Sequence, residues 1–185
     1  MRGGLLLFLV LFQVVSLKTS FAKEAESVRL FFLGGQSNME GHGLNADLPD
    51  ALSDSIETVW IFHGKPAGDQ DLTGGLGHWE RLRPGNGAGF TSDGDHNSHS
   101  HRIGPELSFG SRISELYPGE KIALIKYARG GSSIDQEAAR EYGSWEMDYQ
   151  GETGVNQFDH FLKTVNGALK ARDIDGDGIE DKLIP

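Results

Sequence analysis

The 185-residue sequence contains no cysteine, and basic residues are scarce. The missing cysteines exclude a disulfide framework and a lipoprotein attachment site. Lysine and arginine total 17 against 27 aspartates and glutamates, which gives a formal net charge of −10 at pH 7. An acidic surface argues against nucleic acid or an anionic membrane as the partner. A neutral polysaccharide or a small sugar fits this charge better.

The sequence also lacks a hydrophobic run long enough to span a membrane comfortably. Its longest apolar run, residues 5–17, follows a basic N-terminus and precedes small residues at Ser20 and Ala22. This pattern is typical of a secretory signal peptide, with a retained N-terminal anchor as the alternative. We therefore expect residues 1–22 to be a signal peptide on a secreted or periplasmic protein that leaves the membrane after cleavage. Residues 23–185 are long enough for one domain.

Three segments rich in β-branched and aromatic residues predict strands, at residues 28–33, 58–62 and 121–127. Residues 104–116 and 156–172 predict helices from their apolar spacing. The predicted buried face of the second helix comprises Phe158, Phe161, Leu162, Val165 and Leu169. A helix between two strands forms a βαβ unit, so the sequence predicts an α/β fold with a parallel sheet.

The first strand runs into two glycines and then delivers Ser37. Glycines let the backbone turn sharply, and the carboxyl edge of an open α/β sheet is where ligands bind. Ser37 is therefore a candidate nucleophile, and a helical turn after it would offer N–H groups to an oxyanion. The alternative is a glycine-rich loop in which Ser37 only caps the next helix.

The third strand ends in a similar turn, residues 129–133, with Gly130 and Gly131 followed by serines. On neighbouring parallel strands the two turns would face one crevice. An ordinary tight connection between strand and helix is the alternative.

Three blocks of the sequence resemble a known family: Gly-Gln-Ser-Asn-Met-Glu-Gly at 35–41, Ile-Gly-Pro-Glu-Leu at 103–107, and the strand and Gly-Gly-Ser turn at 122–134. They are similar to the SGNH hydrolases, and within them to the sialate O-acetylesterase-like domain shared with acetyl-xylan esterases. The resemblance implies a flavodoxin-like three-layer α/β/α sandwich. It also implies hydrolysis of acetyl groups on sugar hydroxyls, with no cofactor in the chemistry.

The resemblance assigns the nucleophile to Ser37 and the oxyanion donors to the N–H groups of Ser37 and Gly131, with Gly130 as the alternative to Gly131. Gln36 and Asn38, which flank the nucleophile, are assigned to the binding of an O-acetylated carbohydrate.

In this family a third oxyanion donor comes from a Gln-Gly-Glu strand and the base from a later Asp-x-x-His. Residues 150–152 spell Gln-Gly-Glu but follow mixed, charged residues, so we interpret this copy as coincidental; otherwise Gln150 is a donor. We therefore expect the chain to be the N-terminal part of an esterase domain, with its base beyond Pro185. His96, in Asp93-Gly94-Asp95-His96, is the runner-up base, and His160 is a further candidate.

A non-catalytic module that binds acetylated glycan is the alternative function, motivated by the missing base and by tryptophans in loops. Trp79 lies in a glycine-rich stretch, where it either stacks on a sugar or covers the core. His96, His99 and His101 are close enough in sequence for a metal site, but a polar loop is the favoured interpretation.

A second pattern points to a cation. Asp173, Asp175, Asp177 and Asp181 occupy positions one, three, five and nine of a calcium-loop pattern, and Gly178 occupies position six. Ile184 stands where an EF-hand has its bidentate glutamate. The alternatives are a structural calcium site and a solvated acidic turn.

Overall fold

The computed structural model describes residues 25–68, 71–150 and 156–185, so the predicted signal peptide lies outside the described residues. The strands in chain order are β1 (Ser27–Gly35), β2 (Gly43–Leu44), β3 (Val59–His63), β4 (Trp79–Arg81), β5 (Thr91–Ser92), β6 (Asn97–Ser98), β7 (Arg102–Ile103), β8 (Lys121–Ala128) and β9 (Lys182–Ile184). The helices are α1 (Ser37–Glu40), α2 (Pro105–Leu116) and α3 (Gln157–Lys170). Short 3-10 turns cover Asn45–Asp47, Asp50–Leu52, Gln136–Ala138 and Arg140–Tyr142.

Five strands form the main sheet in the order β4-β3-β8-β1-β9. The contacts of β1 with β8 and β9, and of β3 with β8, are parallel, whereas β4 pairs antiparallel with β3. A mostly parallel sheet with a helix on each face confirms the predicted α/β class. The antiparallel edge strand β4 differs from the expected all-parallel sheet, because the chain returns from β3 through a loop rather than a crossover helix.

Two apolar clusters cover the two faces of this sheet. Alternate residues of one strand belong to opposite clusters, since side chains along a strand point to opposite faces. In β8, Ala123 and Ile125 belong to the cluster that includes Ala168 of α3, whereas Ile122 and Leu124 belong to the cluster that includes Leu107 of α2. The architecture is therefore a three-layer α/β/α sandwich.

The buried face of α3 agrees with the prediction only in part, since Val165 packs against the apolar cluster but two of the predicted leucines do not. Leu162 and Leu169 are 39% and 41% exposed, and the buried residues of the helix are Gln157, His160, Thr164 and Ala168. Polar side chains can be buried here because they find partners. Tyr127 Oη donates to Gln157 Oε1 at 2.8 Å, and Thr164 Oγ1 donates to the Gly75 carbonyl at 3.1 Å.

In the part of the chain that the structure describes, no helix has the length and apolar character needed to cross a membrane.

Candidate active site

The two glycine turns lie side by side at the carboxyl edge of the sheet. The parallel pairing of β1 and β8 continues to their last residues, where Gly35 is opposite Ala128. Beyond this pair, the N–H of Arg129 donates to the Gly35 carbonyl at 3.2 Å. The turns containing Ser37 and Gly131 therefore start from a fixed common register, as the sequence predicted.

Ser37 is the first residue of α1, and Gln36 caps that helical turn. The Gln36 side-chain carbonyl accepts from the Ser37 N–H at 3.0 Å and from the Ser37 hydroxyl at 2.7 Å. One side-chain oxygen thus contacts both groups that a serine esterase uses, the nucleophile and an oxyanion donor. Ser37 is half-buried, while Gln36 and Asn38 are exposed beside it.

The hydrogen bonds of the second turn distinguish the two glycines. The Gly130 N–H donates to Glu40 Oε2 at 2.8 Å, so this donor already has an anionic acceptor. Within the described ranges, no hydrogen bond from the Gly131 N–H is found. Gly131 is therefore the better candidate oxyanion donor.

The backbone at position 131 requires a glycine. Its φ is +81°, a conformation that side chains with a Cβ rarely adopt. A Cβ built there would lie 2.7 Å from the ring of Tyr142. Any larger residue would therefore move this N–H.

A pocket of about 560 Å³ opens beside the two turns. Trp145 forms part of its wall, and the Trp145 indole N–H donates to Ser132 Oγ at 3.0 Å. Ile134, 83% exposed, contributes an apolar rim. The lining residues are Gly34, Gly35, Gln36, Gly131, Ser132, Ser133, Ile134 and Trp145. A pocket of this size accommodates a sugar as well as an acetyl group.

A buried ion pair that the sequence analysis missed lies beneath α1. The side chains of Lys126 and Glu106 are both fully buried, with Nζ and Oε2 2.5 Å apart. Lys126 Nζ also donates to the carbonyls of Asn86 at 2.7 Å and Glu40 at 3.2 Å. Burial lowers the pKa of Lys126, and the charge of Glu106 partly opposes this shift. The sequence did contain a signal for this buried pair, because Lys126 stands within an otherwise apolar strand.

His96 lies on a separate surface feature. It belongs to the turn between β5 and β6, its side chain is 85% exposed, and its Nδ1 is 3.8 Å from Asp93 Oδ2. It lines a pocket of about 200 Å³ with Lys65 and Thr73, not the pocket beside Gly131. The geometry therefore gives no direct support to His96 as the base for Ser37.

Two further histidines have partners of their own. His160 is buried, with Nε2 3.2 Å from the Gly68 carbonyl, as a residue of helix packing. His99 Nε2 lies 2.7 Å from Glu80 Oε1, a histidine–carboxylate pair that sequence reasoning missed. Across residues 25–68, 71–150 and 156–185, no histidine is within hydrogen-bond distance of the Ser37 hydroxyl.

His42 lies near Glu40, the last residue of the helix that begins at Ser37. Its Nε2 is 3.7 Å from Glu40 Oε2, and its Nδ1 is 3.0 Å from Arg102 Nη1. Arginine only donates, so Nδ1 accepts and Nε2 carries the proton. His42 in this arrangement has no free ring nitrogen that could remove a proton.

Trp79 lies in the core. It is 6% exposed, its indole N–H donates to the Ala168 carbonyl at 3.3 Å, and its ring meets Phe62 edge to face. This placement favours the core interpretation over sugar stacking and corrects the assignment of Trp79 to substrate binding. Gln150 is exposed outside any strand, which agrees with a coincidental Gln-Gly-Glu; Gly151 and Glu152 lie outside the described residues.

The aspartate loop brings three of its four predicted ligands together. Carboxylate oxygens of Asp173, Asp175 and Asp177 all lie within 4.8 Å of one another. Asp181 is not in this group, because its carboxylate faces inward and accepts from the Ile174 N–H at 3.1 Å. Lys121 Nζ is 2.5 Å from Asp175 Oδ2, so an ammonium already partly neutralises the loop.

The fold and this site define an α/β protein with a serine and a glycine N–H at the carboxyl ends of adjacent parallel strands. Residues 27–176 match the family model of the carbohydrate esterases described as sialic acid-specific acetylesterases, and the chain belongs to this family. No curated protein matches the chain significantly.

The solved structures similar to the chain include those of two proteins with different sequences. One is a protein from Arabidopsis thaliana, with 18% identity and a TM-score of 0.48 over 84% of this chain and 55% of that one. The other is NanS, with 16% identity and a TM-score of 0.46 over 81% of this chain and 51% of that one. The chain thus spans about half the length of these proteins.

Proposed function

We propose that the protein is a serine esterase that removes O-acetyl groups from carbohydrates. The observation that carries the proposal is the adjacency of Ser37 and Gly131, fixed by the register of β1 and β8. Membership of the carbohydrate esterase family supports the reaction class. The pocket along both turns supplies space for the sugar that bears the ester.

In the proposed reaction the Ser37 hydroxyl attacks the acetyl carbonyl and transfers its proton to a base. The carbonyl oxygen becomes an oxyanion that accepts from the N–H groups of Ser37 and Gly131. For this to happen the substrate oxygen replaces the Gln36 side-chain carbonyl at the Ser37 N–H. The sugar oxygen then leaves with a proton, and water releases acetate from the acyl-enzyme.

The base is the part of the proposal that this geometry does not supply. A serine hydroxyl is a weak nucleophile without a group that takes its proton. The family resemblance assigns this group to the histidine of an Asp-x-x-His sequence, which we place outside the described residues.

Acetate release from acetylated xylan and from O-acetylated sialic acid tests the proposal in the full-length protein. We expect Ser37→Ala to reduce release by about 10³-fold or more. Ser108→Ala, an exposed serine on α2, is the matched control and should retain activity. Unchanged hydrolysis in Ser37→Ala would exclude Ser37 as the nucleophile.

A glycan-binding module without catalysis is the second candidate. Two observations favour it. In the described ranges no histidine contacts the Ser37 hydroxyl, and Trp145 and Ile134 form a wall of the pocket that a sugar could contact. No turnover in the wild-type protein, together with binding of acetylated glycan that persists in Ser37→Ala, would support this candidate over the esterase.

We also propose that the protein is secreted or periplasmic, on the basis of the N-terminal pattern in residues 1–22. N-terminal sequencing of the protein from the extracellular or periplasmic fraction tests this. A mature protein that begins near Lys23 would support it, and one that still begins at Met1 would contradict it.

A further inference from the structure

Glu40 connects the two turns of the candidate site. It is the last residue of α1, one helical turn after Ser37. Its side chain is 19% exposed, and its Oε2 accepts from the Gly130 N–H at 2.8 Å. A carboxylate on the nucleophile's own helix therefore holds the peptide that immediately precedes the Gly131 N–H.

The backbone of Glu40 is itself fixed from two sides. Its N–H donates to the Gln36 carbonyl at 2.8 Å, and its carbonyl accepts from Lys126 Nζ at 3.2 Å. Lys126 cannot follow a moving partner, because its ammonium is buried against Glu106. The Glu40 carboxylate is therefore presented from a rigid base and not from a freely moving surface side chain.

The fit of Glu40 to the second turn depends on a glycine at position 130. A Cβ built on Gly130 would lie 2.4 Å from Glu40 Oε2 and 3.6 Å from Ser37 Cβ. Only a residue without a side chain lets the carboxylate approach this peptide so closely. The same construction shows that a side chain at position 130 would also come into van der Waals range of Ser37.

We propose that Glu40 is a positioning residue, which through its hydrogen bond to Gly130 holds the Gly131 N–H at the spacing from Ser37 that an oxyanion requires. The inference rests on the proposed esterase function and extends it to a residue that does not touch the substrate. Oxyanion stabilisation depends on preorganised donors, so a loosened turn weakens binding of the transition state more than binding of the substrate.

A charge effect alone would give a different pattern from a positional one. A carboxylate near a developing oxyanion repels it, so a purely electrostatic role predicts faster hydrolysis when the charge is removed. The positional role needs an acceptor at the right distance and no charge. Glu40→Gln keeps an acceptor oxygen at the same reach, whereas Glu40→Asp keeps the charge and withdraws the acceptor by one methylene.

The test compares Glu40→Gln, Glu40→Asp and Glu40→Ala in the full-length protein, with kcat and KM measured on an acetyl ester. We expect Glu40→Gln to keep kcat within about threefold of wild type. Glu40→Asp and Glu40→Ala should lower kcat by about tenfold or more and change KM by less than about threefold. Glu115→Ala, which removes an exposed carboxylate paired with Arg112 on α2, is the matched control.

Thermal unfolding of each variant separates positioning from folding. The inference is supported if Glu40→Asp melts close to wild type while its kcat falls. It is overturned if Glu40→Asp and Glu40→Ala both keep wild-type kcat, or if Glu40→Gln is as impaired as Glu40→Ala. Ser37→Ala is measured in parallel: if that variant hydrolyses normally, the esterase proposal fails, whereas activity lost in Ser37→Ala but kept in Glu40→Asp removes only the role of Glu40.

Discussion

The side-chain carbonyl of Gln36 accepts hydrogen bonds from both the N–H and the hydroxyl of Ser37. An amide oxygen is a weak base, so Gln36 holds the hydroxyl without removing its proton. The same contact occupies the N–H that the proposed mechanism offers to the oxyanion. Gln36 is therefore an internal acceptor that the substrate carbonyl must displace.

Gln36→Glu should reduce kcat by about 10²-fold or more while the fold is kept. A carboxylate bonds the Ser37 N–H about twice as strongly as an amide oxygen does, and it repels the developing oxyanion. Acetate release and thermal unfolding measure the two effects. Gln136→Glu, the same chemical change on an exposed 3-10 turn, is the control. Wild-type activity in Gln36→Glu would contradict the proposed position of the oxyanion.

Replacing Glu106 by leucine should destabilise the protein by roughly 3–5 kcal/mol, because it leaves the buried Lys126 ammonium without its carboxylate. The double variant Glu106→Leu/Lys126→Met should recover much of this loss, since no buried charge then remains. Urea unfolding gives the free energies. The comparison is Glu120→Ala, which breaks an exposed pair with Arg29 and should cost less than about 1 kcal/mol. An equally small effect for Glu106→Leu would mean that the pair contributes little.

The stability of the protein should fall as the pH is lowered below about 6.5, in part through His63. Burial and, secondly, the nearby charge of Lys126 hold the pKa of His63 well below its usual value, although the contact with Asn86 opposes the shift. Below pH 6.5 the unfolded chain binds a proton at His63 that the folded chain does not. The free energy of unfolding therefore falls by up to about 1.4 kcal/mol for each pH unit.

Unfolding free energies at pH 7.5 and pH 5.5 test this for wild type and His63→Leu. The difference between the two pH values should shrink in His63→Leu, whatever its absolute stability. The exposed His96→Gln should keep the wild-type difference. An unchanged difference in His63→Leu would show that other groups cause the pH dependence.

Of the two alternatives for the aspartate loop, a structural calcium site predicts that calcium raises the melting temperature of the protein. Three carboxylates converge there, and oxygen ligands around a small volume suit calcium. At a hundredfold excess over Kd a bound ion stabilises the fold by about 2.7 kcal/mol. Asp177→Asn should reduce the shift, and Asp54→Asn, in a different loop, should not.

Equal melting temperatures in millimolar calcium and in chelator would leave the loop as a solvated acidic turn. Lys121→Met offers a second measurement, because the Lys121 ammonium competes with a cation for Asp175. This variant should respond to lower calcium concentrations than wild type.

Local patterns were sufficient for three of the strands, β1, β3 and β8, for the helices α2 and α3, and for the two glycine turns. The apolar runs of β1 and β8 and the glycines that follow them lie within a few residues of sequence, and the parallel pairing follows from the βαβ unit. Ser37 and Gly131 could therefore be placed at one edge before the structure was known.

The contacts that fix the site could not be predicted in this way, because they join residues far apart in sequence. Glu40 reaches Gly130 across 90 positions, and Lys126 reaches Glu106 from a different element. The buried polar face of α3 could not be predicted for the same reason. Apolar spacing predicts which residues are buried only where hydrophobic contacts determine the packing. Gln157 and Thr164 can be buried because each has a hydrogen-bond partner: Gln157 accepts from Tyr127, and Thr164 donates to the Gly75 carbonyl.

Chemical labelling of the buried Lys126 amine would report on local opening of the fold. The full burial of this amine denies acylating reagents access to it in the closed fold. Acylation at Lys126 thus requires the layer between β8 and α1 to open. Its labelling rate, followed by peptide mass spectrometry beside the exposed lysines, would measure how often the packing beneath Ser37 opens.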